Sequence, residues 1–165
     1  MEISIRKTLK SDLKILELIF KKAREKMRLS GNPKQWGNSH PTREDLLKDI
    51  ENGHSYVVIK SSAIIGTFSF FTDKEPTYEN IYQGKWLNDE KYVTIHHLAS
   101  ADRVPSFFKL VIDFVSQFDQ DIRIDTHADN KIMLHLLAKY DFTYCGIIYL
   151  ADGSERLAFQ RLRKE

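Results

Sequence analysis

Cysteine, long apolar stretches and net charge are all scarce in this sequence of 165 residues, and each scarcity excludes a class of protein. Because Cys145 is the one cysteine, no internal disulfide can form, and we expect a buried thiol rather than a nucleophile. No apolar run approaches the roughly 18 residues that a membrane-spanning helix needs, and the first residues lack the basic start and apolar stretch of a signal peptide. We therefore expect a cytoplasmic protein with no membrane segment.

The near balance of charge argues against nucleic acid as a partner. Lys and Arg number 25 against 23 Asp and Glu, and the basic residues of the first predicted helix alternate with apolar ones, as on a solvated helix face. Motifs of several other chemistries are missing, namely G-x-S-x-G, C-x-x-C and the glycine-rich Walker loop. The histidines lack the tight spacing of metal ligands, so we expect no metal site.

The spacing of apolar residues predicts a single α+β domain over residues 1–165. Strands are predicted at 2–7, 54–60, 63–71, 92–99, 121–125, 142–150 and 157–160. Helices are predicted at about 9–27, 42–50, 104–118 and 130–140. This order predicts three layers, with helices on both faces of one mixed, mostly antiparallel sheet, in which strands 92–99 and 121–125 run parallel.

Two helix starts carry capping signals. Thr8 or Ser11 is available as the N-cap of the first helix. Thr42 is followed three residues later by Asp45, which resembles a capping box for the second helix.

The stretch 92–118 places a strand, a polar loop and a helix in immediate succession. A helix that begins near Val104 tolerates Pro105 in its first turn and leaves N–H groups free there. Together with Arg103 and the helix dipole, this turn suits a phosphate. An ordinary connection without a ligand is the alternative on these residues alone.

Aromatic residues mark two further loops. Trp36 lies between the first two helices, as either a lid over a small-molecule cleft or a packing anchor. The connection 72–89 contains Tyr82 and Trp86 and is long, so we interpret it as a binding loop rather than a disordered insert.

The predicted order of elements contains three segments, HHLASADRVPSFFKLVIDF, RIDTHADNKIMLHLLAKYDF and CGIIYL. Because of these segments and this order, the chain resembles the GCN5-related N-acetyltransferase (GNAT) superfamily over nearly its whole length. The resemblance implies a GNAT fold, acetyl-CoA as cosubstrate and a possible homodimer through strands 142–160. It implies cofactor contacts for the pantetheine arm at Leu98, Ala99 and Ser100, and for the pyrophosphate at Arg103, Val104, Ser106, Phe107 and Phe108. Asn130 matches another position that contacts the cofactor, and Trp36, Tyr82 and Trp86 would line the acceptor pocket.

The sequence departs from the superfamily pattern at two places. Phe108 stands where a small residue lets the helix backbone approach the pyrophosphate, and Pro105 lacks an N–H donor. Leu137 stands where the family often has the Tyr that protonates the departing thiolate. Tyr140, one turn further along the helix, is the candidate nearest to that position.

Three histidines are candidates for a general base near neutral pH. The two-residue period of a strand predicts that His96 and His97 face opposite sides of the sheet. His127 ends the next strand, where Asp125 would orient it. A hydrogen-bonded histidine of the core or the cleft rim is the alternative for each.

These observations predict an acetyl-CoA-dependent N-acetyltransferase. It would transfer the acetyl group to a primary amine of a small molecule or peptide by direct attack in a ternary complex, with backbone N–H groups near Ala99 polarising the thioester carbonyl. Because Phe108 and Leu137 depart from the family pattern, the alternative is a catalytically degenerate module that binds CoA or a protein partner without turnover.

Overall fold

The computed structural model describes residues 2–101 and 104–164. Within these ranges one sheet contains seven strands, β1 (Ile3–Lys7), β2 (Ser55–Lys60), β3 (Ala63–Phe71), β4 (Tyr92–Ser100), β5 (Asp121–Thr126), β6 (Thr143–Tyr149) and β7 (Glu155–Arg161). Four α-helices accompany it, α1 (Leu13–Leu29), α2 (Arg43–Glu51), α3 (Phe107–Ser116) and α4 (Lys131–Lys139). Short 3-10 turns occur at Lys10–Asp12 and Pro76–Tyr78.

The sheet is mixed and mostly antiparallel, as predicted. Its strands lie in the order β1-β2-β3-β4-β5-β7-β6, so that β7 inserts between β5 and β6. The β4–β5 pair is parallel, because α3 carries the chain back across the sheet between them, whereas the other neighbouring pairs are antiparallel.

Helices cover both faces of the sheet and give the three predicted layers. On one face, α3 and α4 bury Val111 and Leu137 against the sheet. On the other, α1 uses Leu13, Leu16 and Phe20, whose spacing of three and four residues places them on one side of the helix. Within the described residues, no helix is both long and apolar enough to cross a membrane.

Strands β4 and β5 diverge soon after they begin. Their ladder pairs Tyr92–Thr94 with residues 121–123 and goes no further. Beyond this point the side of β4 that faces β5 has no ladder partner in the described part of the chain. The divergence opens a wedge at the carboxyl ends of the two parallel strands, which is where open α/β sheets bind ligands.

A β-bulge in β4 overturns the prediction that His96 and His97 face opposite sides. Ala99 pairs with Thr67 and His96 with Ser69, so β4 uses one residue more than β3 over this interval. His97 takes up the extra residue with a positive φ of 50°. Both histidine side chains therefore lie on the α1–α2 side of the sheet.

Two helix starts differ from the sequence-based expectation. Helix α3 begins at Phe107 rather than near Val104, and Ser106 precedes it in the left-handed region with φ of 59°, so Pro105 lies before the first turn. The Phe107 ring packs directly against Gly66. A Cβ at position 66 would come within 2.3 Å of this ring, so the missing side chain makes room for the helix start.

Helix α1 begins at Leu13, after the first 3-10 turn. The Thr8 hydroxyl is hydrogen-bonded to Ser55, and the Asp12 carboxylate accepts the Leu9 N–H, so the predicted cap by Thr8 or Ser11 is wrong. The capping box of α2 is confirmed, since the Thr42 side chain accepts the Asp45 N–H and the Asp45 carboxylate accepts the Thr42 N–H.

Candidate active site

A cavity of about 630 Å³ lies at the wedge between β4 and β5, under the loop that joins α1 to α2. Its apolar wall includes Ile95, Leu98, Ile124 and Met133. Polar and charged residues complete it, among them Gln35, His40, Glu75, His96, His97, Asp125, Thr126, Asn130 and Arg156. An apolar cleft with a few convergent polar groups is typical of a small-molecule site.

Both histidines of the bulge line this cavity, and each is paired with a carboxylate. His96 Nε2 lies 3.0 Å from Glu75 Oε1, and His97 Nδ1 lies 2.9 Å from Asp49 Oδ2. The Ser69 hydroxyl donates to the same Asp49 oxygen at 2.7 Å. A carboxylate that accepts one ring N–H fixes the tautomer and leaves the other ring nitrogen as a base.

The electrostatics of the pairs favour a basic His96. Burial by itself lowers the pKa of His96, but the hydrogen bond with Glu75 and the nearby carboxylates outweigh it, so the pKa lies above its ordinary value. The hydrogen bond from His96 is the main cause of the lowered pKa of Glu75. Burial raises the pKa of Asp49, but its hydrogen bonds from His97 and Ser69 outweigh burial, and the net pKa is lowered. Both carboxylates are therefore ionised at neutral pH.

Asp125 is held by a buried tyrosine rather than by His127. The Tyr78 hydroxyl donates to Asp125 Oδ2 at 2.7 Å, and the Tyr78 side chain is 1% exposed. Burial and the charge of Asp125 raise the pKa of Tyr78 well above its usual value, so the phenol keeps its proton. Asp125 thus presents a carboxylate to the cavity beside Thr126.

The α1–α2 loop is fastened over the cavity by Gln35. Its Oε1 accepts hydrogen bonds from Asn32 and Asn130 at 3.0 Å each and from the Thr126 hydroxyl at 3.3 Å. Its backbone carbonyl accepts a bond from Arg156 at 2.9 Å. Gln35 therefore joins the loop to the end of β5, the start of α4 and strand β7.

The residues predicted to contact pantetheine lie along β4, but only one of them lines the cavity. Leu98 borders it. Ala99 is buried against α1 and α2 and pairs with Thr67 of β3, and Ser100 pairs with Gly66.

The residues predicted to contact pyrophosphate lie at the start of α3, except Arg103, which falls outside the described residues. Ser106 makes no side-chain cap, so the first N–H groups of α3 have no capping partner among the described residues. Val104 packs against the core, and Phe107 and Phe108 are 5% and 4% exposed. The Phe108 ring contacts Tyr140 and Phe142 in the core and forms part of the cavity wall.

Asn130 lines the cavity as the N-cap of α4. Its side-chain oxygen accepts the Met133 N–H at 3.1 Å, while its amide donates to Gln35. The structure thus gives Asn130 a role in positioning both the helix and the loop.

Of the three aromatic residues predicted to line an acceptor pocket, the cavity contains Trp36 alone. Trp36 also packs on Phe20 with ring centroids 5.5 Å apart, so it is both a wall of the cleft and a packing anchor. Tyr82 lies away from the cavity, paired through its backbone with Ile147 of β6 and half exposed.

Trp86 belongs to a stacked cluster beneath the connection 72–89. The Arg123 guanidinium lies between the rings of Trp86 and Tyr92, 4.1 Å from each centroid. The connection nevertheless contributes Glu75 and Thr77 to the cavity. The aromatic content of this loop therefore reflects its packing, while Glu75 and Thr77, which it contributes to the cavity, are polar.

Two other catalytic candidates lie outside the cavity. His127 Nδ1 accepts the Asp129 N–H at 3.0 Å and so supports the turn before α4. Tyr140 contacts Phe108, and Leu137 is 0% exposed in the core. The structure does not bring these residues together with His96 and His97.

Four residues in or beside the cavity are not predicted from the sequence, namely Gln35, Asp49, Glu75 and Arg156. Arg156 had a signal, because it is a charged residue in phase with the buried Ala158 of an alternating strand. Asp49 and Glu75 had none, since each is distant in sequence from the histidine that it pairs with.

The chain is similar over nearly its whole length to solved acetyltransferase structures. A GNAT-family acetyltransferase from Streptococcus agalactiae 2603 is 29% identical, with a TM-score of 0.89 over 99% of this chain and 96% of that one. A protein from Staphylococcus aureus Mu50, provisionally named an acetyltransferase, is 25% identical. Its TM-score is 0.69 over 97% of this chain and 99% of that one. A GNAT-family acetyltransferase from Listeria monocytogenes 4b F2365, 19% identical with a TM-score of 0.71 over 98% and 95% of the chains, shares the fold. No family model and no curated protein matches the sequence.

Proposed function

This chain belongs to the GCN5-related N-acetyltransferase superfamily, and we propose that it transfers the acetyl group of acetyl-CoA to a primary amine of a small molecule or peptide. The observation that carries the proposal is the position of the His96–Glu75 pair at the wedge between β4 and β5. A base beside an opening between parallel strands is what direct attack of an amine on a bound thioester needs.

The residues present fit a CoA thioester. Beyond Thr94, the side of β4 that faces β5 has backbone groups without ladder partners in the described residues, and these can bind the amide groups of a pantetheine arm. The uncapped N–H groups at the start of α3 suit a pyrophosphate. The bound thioester supplies the activated acetyl group.

His96 acts as the general base. With Nε2–H donated to Glu75, Nδ1 carries the lone pair that accepts a proton from the attacking amine, directly or through one water. Backbone N–H groups of β4 near Ala99 polarise the carbonyl oxygen. Because Leu137 and Tyr140 lie outside the cavity, the leaving thiolate takes its proton from water or from the protonated His96.

The position of Phe108 weakens the alternative of a degenerate module. That alternative depended on Leu137 and on Phe108, which was expected to close the helix start to a pyrophosphate. The ring instead packs inward against Tyr140 and Phe142. The enzyme is therefore the function that the geometry supports best.

The test is a direct assay with acetyl-CoA and a panel of primary amines, in which mass spectrometry detects the acetylated amine beside released CoA. We expect amine-dependent transfer, and we expect His96→Gln to lower kcat by about 100-fold or more with little change in the KM for acetyl-CoA. His135→Gln is the matched control, since His135 is exposed on α4 and does not line the cavity. CoA binding without transfer to any amine would favour the degenerate module instead.

A further inference from the structure

Arg156 is a buried cation whose bonds do not balance its charge. It lies on β7, is 6% exposed and lines the cavity. Its two hydrogen bonds go to backbone carbonyls, those of Glu155 at 2.8 Å and Gln35 at 2.9 Å. No carboxylate in the described ranges lies within ion-pair distance of it, although buried arginines are seldom left without an anionic partner.

The free donors of Arg156 match a planar anion. A guanidinium has five N–H donors in a rigid fork, so three of them have no partner among the described residues after the two backbone bonds. Such a fork binds a carboxylate through two parallel hydrogen bonds. Asp125 and Asp152 are close enough to act on Arg156 electrostatically without bonding to it, and they would repel a dianion such as a phosphate more strongly than a carboxylate.

Arg156 borders the same cavity as His96 and His97. Burial lowers the pKa of His40, and the charges of His97 and Arg156 lower it further, which places Arg156 within electrostatic reach of His40. The His40 and His97 rings in turn lie 5.2 Å apart. A small molecule in this cavity of about 630 Å³ can therefore contact both Arg156 and the bulge histidines.

We infer that the acceptor amine carries a carboxylate, which Arg156 binds while the amine faces His96. The acceptor is then an amino-acid-type compound rather than a simple amine or polyamine. As far as acetyl transfer is concerned, this inference rests on the proposed function, whereas the carboxylate site itself does not require turnover.

The test measures equilibrium binding in the presence of CoA, by calorimetry, for α-, β- and γ-amino acids and for the amines left when their carboxylate is removed. We expect at least one amino acid to bind ten times or more tightly than its decarboxylated partner. Arg156→Gln should abolish that preference, and Arg156→Lys, which keeps the charge but loses the fork, should retain part of it. Thermal unfolding of each variant establishes that it is folded. The comparison of each amino acid with its decarboxylated partner on the wild-type protein tests the inference without any variant.

The outcomes separate this inference from the proposed function. A carboxylate preference that depends on Arg156, without acetyl transfer in the assay, would retain the inference and overturn the enzyme. Acetyl transfer to amines with no carboxylate preference would retain the enzyme and overturn the inference. Absence of binding by every carboxylate tested, at concentrations up to the millimolar range, would also overturn it.

Discussion

At the scale of single residues, the charge state of His96 is set by a balance between burial and a carboxylate. Burial disfavours the imidazolium, and the bond to Glu75 with the surrounding negative charges favours it more. Removing the Glu75 charge should leave burial as the main influence. The pKa of His96 should then fall, and with it the pH at which the base becomes available.

We expect an NMR titration to give His96 a pKa above its ordinary value of about 6.5 in the wild-type protein and a clearly lower pKa in Glu75→Gln. Because the pKa is raised in the folded protein, its stabilising contribution is fully present below the unfolded value and is lost as pH rises through the folded value. The stability difference between wild type and variant should therefore shrink above that pH.

Glu79→Gln is the control for this titration, because it makes the same charge change at an exposed position of the same connection. Its His96 titration should match the wild type. An unchanged His96 pKa in Glu75→Gln would contradict the proposed pairing, and so would an equal shift in both variants.

At the scale of elements, the cavity depends on a loop that has no regular hydrogen-bond ladder of its own. The α1–α2 loop is held by Gln35, whose side chain accepts three hydrogen bonds and reaches residues 91 and 95 positions away. These bonds join the loop above the cavity to the end of β5 and the start of α4. Loss of the Gln35 hydrogen bonds should free the loop while leaving the sheet intact.

We expect Gln35→Ala to lower the free energy of unfolding by about 1 to 3 kcal/mol, since the buried Thr126 and the half-buried Asn130 lose their acceptor. Amide exchange should become faster in residues 31–41 and stay unchanged in β2 and β3. The KM for the acceptor should rise more than the KM for acetyl-CoA. Asn38→Ala, at an exposed position of the same loop, is the control. Equal amide exchange in the two variants would show that the Gln35 side chain does not hold the loop in place.

At the scale of the whole molecule, the sequence predicted what depends on local pattern. Three features follow from neighbouring residues or from chain order and were therefore predictable: the apolar runs of β2 and β3, the Thr42–Asp45 capping box and the parallel β4–β5 pair. The strands and the parallel pair are therefore predictable from the sequence, whereas the insertion of β7 between β5 and β6 is not.

The candidate site was less predictable, because long-range contacts build it. His96 meets Glu75 from 21 residues away, and His97 meets Asp49 from 48 residues away. The bulge that brings both rings to one face depends on the register with β3, which the two-residue period of β4 does not contain. A long-range contact also explains why Trp86, which the resemblance places in the pocket, stacks on Arg123 instead.

Ligand binding at the wedge should stabilise the entire fold, since only the folded chain brings β4, β5 and α3 together. At 100 times the dissociation constant, CoA or acetyl-CoA should add about 2.7 kcal/mol and raise Tm by roughly 5 to 10 °C. Arg103→Glu should require at least ten times more CoA for the same rise, which corresponds to about 1.4 kcal/mol. This expectation follows from the predicted contact of Arg103 with the pyrophosphate, which a reversed charge would turn into repulsion. Arg28→Glu, the same charge reversal on an exposed position of α1, should respond as the wild type does. If millimolar CoA left the wild-type Tm unchanged, the wedge would not be a CoA site, and acetyl transfer would have to be abandoned for this chain.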